Sequence, residues 1–333
     1  MGRFGLDKKA LFCLCAVLGL GILLMYVSLF LERERDDNMK ASLKLPQVLR
    51  RSYVHLSQSK EIIMNKIALI RAEGKQKLIV VSDFDLTLTK YRVKGQLGMT
   101  SYRVVDTSLQ MSEAYRQEAL SLRDLYAPIE HNQDLSLQER AQAMEDWTTG
   151  ANDLLVKHQL RRDDIPNIVA KANVELRPHY HLFSELLSAE NIPLLIFSAG
   201  LWDSVSEILE QQQGPLGDNA HIVSNRLVFN KAGVAVDYQR PVIHSYRKGT
   251  IPDRFMDVKN SIQGRYNVVL LGDTLSDTKM TAGLERVDHV IKIGFLNSNE
   301  KELMSKYKER FDIVLTGDPD LSTPLCVLKT ILE

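Results

Sequence analysis

Two aspartates stand two residues apart in Asp83-Phe84-Asp85-Leu86-Thr87, directly after the apolar run Leu78-Ile79-Val80-Val81. Where a buried strand runs out, carboxylates at that spacing can face one cavity. An ionised aspartate is already a nucleophile at neutral pH and can attack phosphorus without a general base. It needs a cation to offset the charge of the phosphate, and oxygen ligands suit Mg²⁺. The second carboxylate can protonate a leaving alkoxide, then take a proton from the water that cleaves the acyl phosphate. Aspartate is also frequent in turns after strands, so the pair alone leaves an ordinary turn open.

Three further sites fit the same chemistry. Phe197-Ser198-Ala199-Gly200 follows a second apolar run, and its small residues let backbone amides approach a phosphate oxygen; a serine there serves equally as a helix N-cap. Lys248, in His244-Ser245-Tyr246-Arg247-Lys248-Gly249, could neutralise phosphate, although most lysines are simply solvated. Leu271-Gly272-Asp273 supplies a third carboxylate at a strand end, and Asp277 one helical turn on could orient it.

The elements that must carry these residues are legible as continuous apolar runs: Leu78–Val81, Leu194–Phe197, Val268–Leu271 and Ile313–Leu315. Unbroken apolarity is what strands covered on both faces require. Helical patterns separate the runs, at Tyr180–Ala189, Trp202–Gln212 and Ser276–Leu284, so the fold class is α/β with a Rossmann-like parallel sheet. Val223–Val236 reads as a β-hairpin. Residues 91–178 break the rhythm; they lack a strong strand run and are too long for a loop, so they read as an inserted helical cap. Ser136 and Glu139 form a capping box for one of its helices, which carries Met144 and Trp147.

The 333 residues carry 42 basic and 42 acidic side chains, a balance that argues against a nucleic-acid binder. Three cysteines, Cys13, Cys15 and Cys326, exclude a disulfide-built scaffold. Ala10–Leu31 holds 22 residues without a charge. At about 1.5 Å per residue it reaches roughly 33 Å, enough for a hydrocarbon core of about 30 Å. It is longer than a signal-peptide core and has no small-residue cleavage site, so a single transmembrane helix is expected. The resulting layout is a flank 1–9, an anchor 10–31, a charged linker 32–49, a core 50–90 and 179–333, and the cap 91–178.

In this order, Asp-x-Asp-x-Thr, Ser, Lys and Gly-Asp-x-x-x-Asp, the set resembles the haloacid dehalogenase superfamily. The longer runs Val81–Thr89, Ile192–Gly200, Ile243-His244 with Lys248, Leu270–Asp273, Ile291–Asn297 and Phe311–Leu315 resemble the pyrimidine 5′-nucleotidase (cytosolic 5′-nucleotidase III) family. The resemblance implies Asp83 as nucleophile and Asp85 as general acid/base. It implies Mg²⁺ held by Asp83, the backbone oxygen of Asp85, and Asp273, supported by Asp277 and Thr87. Ser198, Ala199 and Lys248 would grip the phosphate, and Glu130 would face the nucleobase. Ala151-Asn152 departs from the Ser-His that relatives carry, and Arg247-Lys248 from their Asn-Lys.

The expected activity is Mg²⁺-dependent hydrolysis of nucleoside 5′-monophosphates (CMP, UMP, or 7-methyl-GMP) through an aspartyl phosphate, with phosphotransfer as a side activity. The rivals are a phosphatase of the same fold acting on another small phosphomonoester, and an inactive membrane-tethered scaffold. Basic residues flank the apolar stretch on both sides, so charge does not orient it. No Asn-x-Ser/Thr sequon occurs. The expected placement is a single-pass protein of the endoplasmic reticulum membrane with its catalytic body in the cytosol.

Overall fold

Strands lose alternation when both faces are covered, and the central strands of this protein are of that kind. The computed structural model describes residues 44–130, 132 and 134–333. One sheet contains β1 (Val54–Leu56), β2 (Leu78–Ser82), β3 (Leu194–Leu201), β4 (Ala220–Asn225), β5 (Asn267–Gly272), β6 (His289–Leu296) and β7 (Ile313–Thr316). Their order is β1-β7-β6-β5-β2-β3-β4. β1 runs antiparallel to β7, and the other pairings are parallel.

The principal helices are α1 (Lys60–Glu73), α2 (Ser101–Asp106), α3 (Glu113–Glu130), α4 (Leu137–Lys157), α5 (Tyr180–Ala189), α6 (Trp202–Gln213), α7 (Glu300–Arg310) and α8 (Ser322–Leu332). On one face of the sheet Ile79, Val81, Leu195, Phe197, Val268 and Leu270 meet Val258, Met280, Tyr307 and Phe311. The alternate residues Val80, Leu194, Ile196 and Val269 are buried on the opposite face. There α1 packs on β6 and α8, and α8 on α5.

Register then fixes where chemistry can occur. Ser82 of β2 lies opposite Leu271 of β5 and Ile196 of β3. The residues that follow these strands therefore emerge side by side at the carboxyl edge of the sheet, where open α/β sheets build their sites.

A helical segment is inserted just after β2. It leaves and returns as a short ribbon: Lys90 N donates to Glu175 O at 2.9 Å, Arg177 N to Leu88 O at 2.8 Å, and Thr89 bridges antiparallel to Leu176. Lys90 and Glu175 add an ion pair at 2.9 Å. The segment holds α2, α3, α4 and Ile165–Ala170, with a two-residue strand pair at Arg92–Val93 and Gln96–Leu97. The Ser136 capping box is formed in both directions: Ser136 Oγ accepts from Glu139 N, and Ser136 N donates to Glu139 Oε2.

Inside this segment Asp106 accepts a 2.7 Å hydrogen bond from Tyr115 Oη. Burial pushes its carboxyl up to about 6, against the opposing pull of Tyr115, Arg103 and Arg123. The ionised form is thus disfavoured in the fold, so stability falls as pH rises from the unfolded value near 4 to about 6, and stays lower above. Asp106→Asn keeps the acceptor for Tyr115 and removes the charge. The variant is expected to be more stable at pH 7.5 by on the order of 2–3 kcal/mol, with no gain at pH 4, in thermal melts across that range.

Four expectations need correction. Val223 belongs to β4, and the hairpin is Leu227–Phe229 with Ala235–Tyr238. The stretch read as a helix from Ser276 winds as a 3₁₀ run, Leu275–Gly283, where the Asp277 carboxylate turns back onto the Asp273 and Thr274 N–H groups. Among the described residues no helix is long and apolar enough to cross a membrane, and the Ala10–Leu31 stretch lies outside them. The fold of the described residues is therefore the α/β core with its helical insertion, and a transmembrane helix is not part of it. On the same ground, the single-pass placement in the endoplasmic reticulum membrane is withdrawn.

Candidate active site

Phe84, fully buried between the two aspartates, anchors the turn after β2. Leu86 then takes a left-handed conformation, φ 61°, which a branched aliphatic residue adopts only when held. It is held through its carbonyl, which accepts from Arg177 Nη2 at 2.8 Å and from Asn297 Nδ2 at 3.0 Å. Arg177 Nε also donates to the Thr87 carbonyl at 2.7 Å. Its buried guanidinium is paired with Asp318 at 2.6 Å and lies over the Phe295 ring. Asp318 in turn accepts from the N–H groups of Tyr91 and Arg92, where the insertion begins.

Asp83 is buried, with one oxygen 2.5 Å from Lys248 Nζ and the other accepting from Thr87 Oγ1 at 3.2 Å. Lys248 also reaches Asp277 at 2.8 Å. The second Asp277 oxygen is occupied by Asp273 N, Thr274 N and Thr274 Oγ1 at 3.1, 2.8 and 2.8 Å. Asp83, Asp273 and Asp277 each present an oxygen within 4.8 Å of the others. One ammonium thus faces three carboxylates. Burial, partly offset by Lys248, pushes Asp83 up to about 7, while burial and the facing Asp83 and Asp277 push Asp273 well above the carboxylate range. Burial opposes the charge on Lys248, but Asp277 and Asp83 outweigh it and raise its pKa. Such a cluster favours a hard divalent cation.

The Ser198–Gly200 turn after β3 closes the other side. Ser198 is buried, and its Oγ accepts from Gly200 N at 2.9 Å. Asn225 Nδ2 donates to the carbonyls of Ala199 and Ile243, tying this turn to the loop that carries Lys248. Gly200 is obligatory: a Cβ there would sit 1.8 Å from Ser101 Oγ and 2.9 Å from Asp85 Oδ2. Asp85 receives Ser101 N at 2.8 Å and Ser101 Oγ at 2.7 Å. Burial pushes its carboxyl up to about 6 despite these bonds.

Asp83, Asp85, Thr87, Ser198, Lys248, Asp273 and Asp277 are thereby gathered at one edge. Glu130 stands apart from these contacts, half-buried at the end of α3, and its carbonyl accepts from Tyr246 Oη at 2.5 Å. Tyr246 also accepts from Arg140 Nη1, and Arg247 pairs with Glu145 at 3.3 Å, so the turn before Lys248 touches both α3 and α4. Trp147 is half-buried. Asn152 is fully buried; its Oδ1 accepts from Tyr102 Oη at 3.1 Å and its Nδ2 donates to Thr148 O. Reading the sequence missed Ser101, Arg177, Asn225 and Tyr246. Only Ser101 left a trace, as part of a Thr-Ser helix start.

The model of the pyrimidine 5′-nucleotidase family (UMPH-1) matches residues 86–332. The chain belongs to that family. It is a 5′-nucleotidase of the haloacid dehalogenase type, a hydrolase of nucleoside monophosphates. This nucleotidase is 35% identical over 266 residues to the Homo sapiens 7-methylguanosine phosphate-specific 5′-nucleotidase, covering 80% of this chain and 88% of that one. To the Xenopus laevis 7-methylguanosine phosphate-specific 5′-nucleotidase A it is 34% identical over 269 residues, 81% of this chain and 92% of the other. The crystal structure of cytosolic 5′-nucleotidase IIIB bound to cytidine superposes with a TM-score of 0.79 at 30% identity, covering 87% of this chain and 98% of that one.

Proposed function

We infer that this 5′-nucleotidase works through an aspartyl phosphate on Asp83, with Asp85 as general acid/base. The observation that carries the reading is Asp83 locked between Lys248 and Thr87, with Asp85 two residues on and facing the Ser198–Gly200 turn. Lys248 and the Ser198–Ala199 turn bind the phosphate. An Asp83 oxygen bonds to phosphorus as the bond to the 5′ oxygen breaks, and that oxygen takes the proton of Asp85. Water then attacks the same phosphorus and gives its proton to Asp85, and Asp83 is released as carboxylate. The inserted segment acts as a cap that shields the intermediate from water until the nucleoside departs.

The surplus of carboxylates over Lys248 fits Mg²⁺ held by Asp83, the Asp85 carbonyl and Asp273. Asp277, whose oxygens are all engaged, positions Lys248 instead of ligating. When bound, the ion offsets the negative charge shared by phosphate and nucleophile.

We assign Glu130 to the nucleobase. A carboxylate can accept from the exocyclic amino group of cytosine or a ring N–H, and it complements the positive charge of N7-methylated guanine. Phosphate release by the full chain across CMP, UMP, 7-methyl-GMP, AMP, glucose 6-phosphate and glycerol phosphate tests this. CMP, UMP and 7-methyl-GMP are expected to exceed the base-free esters by about 10²-fold or more in kcat/KM, and EDTA to abolish turnover until Mg²⁺ is restored. Equal turnover of nucleotides and base-free esters overturns the assignment of Glu130.

A further inference from the structure

Asp85 belongs to the core, yet its carboxylate is oriented by a residue of the inserted segment. Ser101 N donates to Oδ1 at 2.8 Å and Ser101 Oγ to Oδ2 at 2.7 Å, so rotation of the carboxylate about its own bond is arrested. The hydroxyl has little freedom of its own. Leu201 N donates to it at 3.3 Å, which leaves its proton to the carboxylate, and Ser101 is fully buried. The core makes room for this contact with Gly200, where any Cβ would collide with Ser101 Oγ. The fit is built from both sides.

The next residue extends the link. Tyr102 Oη donates to Asn152 Oδ1, and Asn152 is anchored in turn on Thr148 O within α4. Hydrogen bonds on either side of the Ser101–Tyr102 peptide link therefore connect Asp85 to the helix that bears Trp147.

We propose that Ser101 is a positioning residue for Asp85: it aims the carboxyl at the leaving 5′ oxygen, and it makes proton delivery conditional on the inserted segment being seated. This rests on the reading of Asp85 as the general acid/base. A donor that aligns a group for proton transfer acts in the transition state and adds little to ground-state affinity, so its loss falls on kcat.

The test is steady-state kinetics of the full chain with CMP and Mg²⁺. Ser101→Ala is expected to lower kcat about 10–100-fold while KM stays within about threefold, since general acid–base catalysis as a whole is worth about 10²–10⁴. The pre-steady-state burst of p-nitrophenolate from p-nitrophenyl phosphate, a leaving group that needs no proton, is expected to change by less than about threefold. Should the alanine variant not fold, Ser101→Cys keeps the shape with a weak donor, and the same split is expected. A kcat on CMP within threefold of wild type overturns the proposal, as does an equal loss in the burst. Asp85→Asn separates the two levels. If it retains wild-type kcat, the acid/base assignment falls; if it is inactive while Ser101→Ala is normal, only the positioning role falls.

Discussion

Asp83→Asn is expected to lower nucleotide hydrolysis by about 10⁴-fold or more while the protein stays folded, because a neutral amide cannot form the acyl phosphate. Asparagine preserves the shape and still offers an oxygen to Thr87. It loses the charge that faces Lys248, but Lys248 keeps Asp277 as a partner at 2.8 Å. The substitution also removes one of three mutually repelling carboxylates, two of which are pushed far up by burial and by each other. Thermal melts without metal should therefore show a midpoint no lower than that of the wild type. Single-turnover assays with the soluble substrate panel read the activity. Residual turnover within about 100-fold of wild type would assign the nucleophile elsewhere.

Arg177→Met is expected to be the most destabilising single change. The guanidinium serves the carbonyls of Leu86, Thr87 and Pro319 together with Asn297 and Asp318. Methionine fills much of the volume but leaves the Leu86, Thr87 and Pro319 carbonyls short of a donor and takes the cation from the half-buried Asp318, which keeps only the Tyr91 and Arg92 N–H groups, a loss of about 3–5 kcal/mol. The Leu86 carbonyl then keeps Asn297 alone, and its N–H keeps Thr89 Oγ1 at 2.7 Å. In a chain of this size the midpoint should fall by about 10 °C, and urea titration should show the same loss with an unchanged slope. A shift below about 1 kcal/mol would mean that the site loop is stabilised from within. Activity should drop in the surviving fraction too, since the loop that carries Asp83 and Asp85 loses its support.

The sequence and the structure agree best where chemistry imposes spacing. Asp83 and Asp273 are readable because each directly follows a strand with an unbroken apolar run, and Asp85 and Asp277 are found from them by spacing. β6 escaped as a strand: Lys292 interrupts its apolar run, and its N–H is satisfied by Asp312, a contact across 20 residues. Arg177 and Asn225 were invisible, and the role of Ser101 was hidden, for a related reason. Each works through backbone atoms or through a side chain distant in sequence, and no local pattern encodes a bond between Arg177 and Leu86. Ala10–Leu31 shows the converse, a strong local signal that lies outside the described residues.

The ribbon at Thr89 and Leu176 has a mechanical consequence. A segment tethered by one strand can swivel freely, whereas two strands cross-linked by Lys90–Glu175 and Leu88–Arg177 hydrogen bonds resist torsion and yield mainly to bending. The far end of the insertion is tied as well, through the Arg161–Val234 bridge and the Arg162–Gly233 and Ala235–Leu160 hydrogen bonds, so the ribbon works like one of two hinges on a door instead of a string on a ball. A door returns to its latch without searching. Ser101 would meet Asp85, and Glu130 the base, along one reproducible arc.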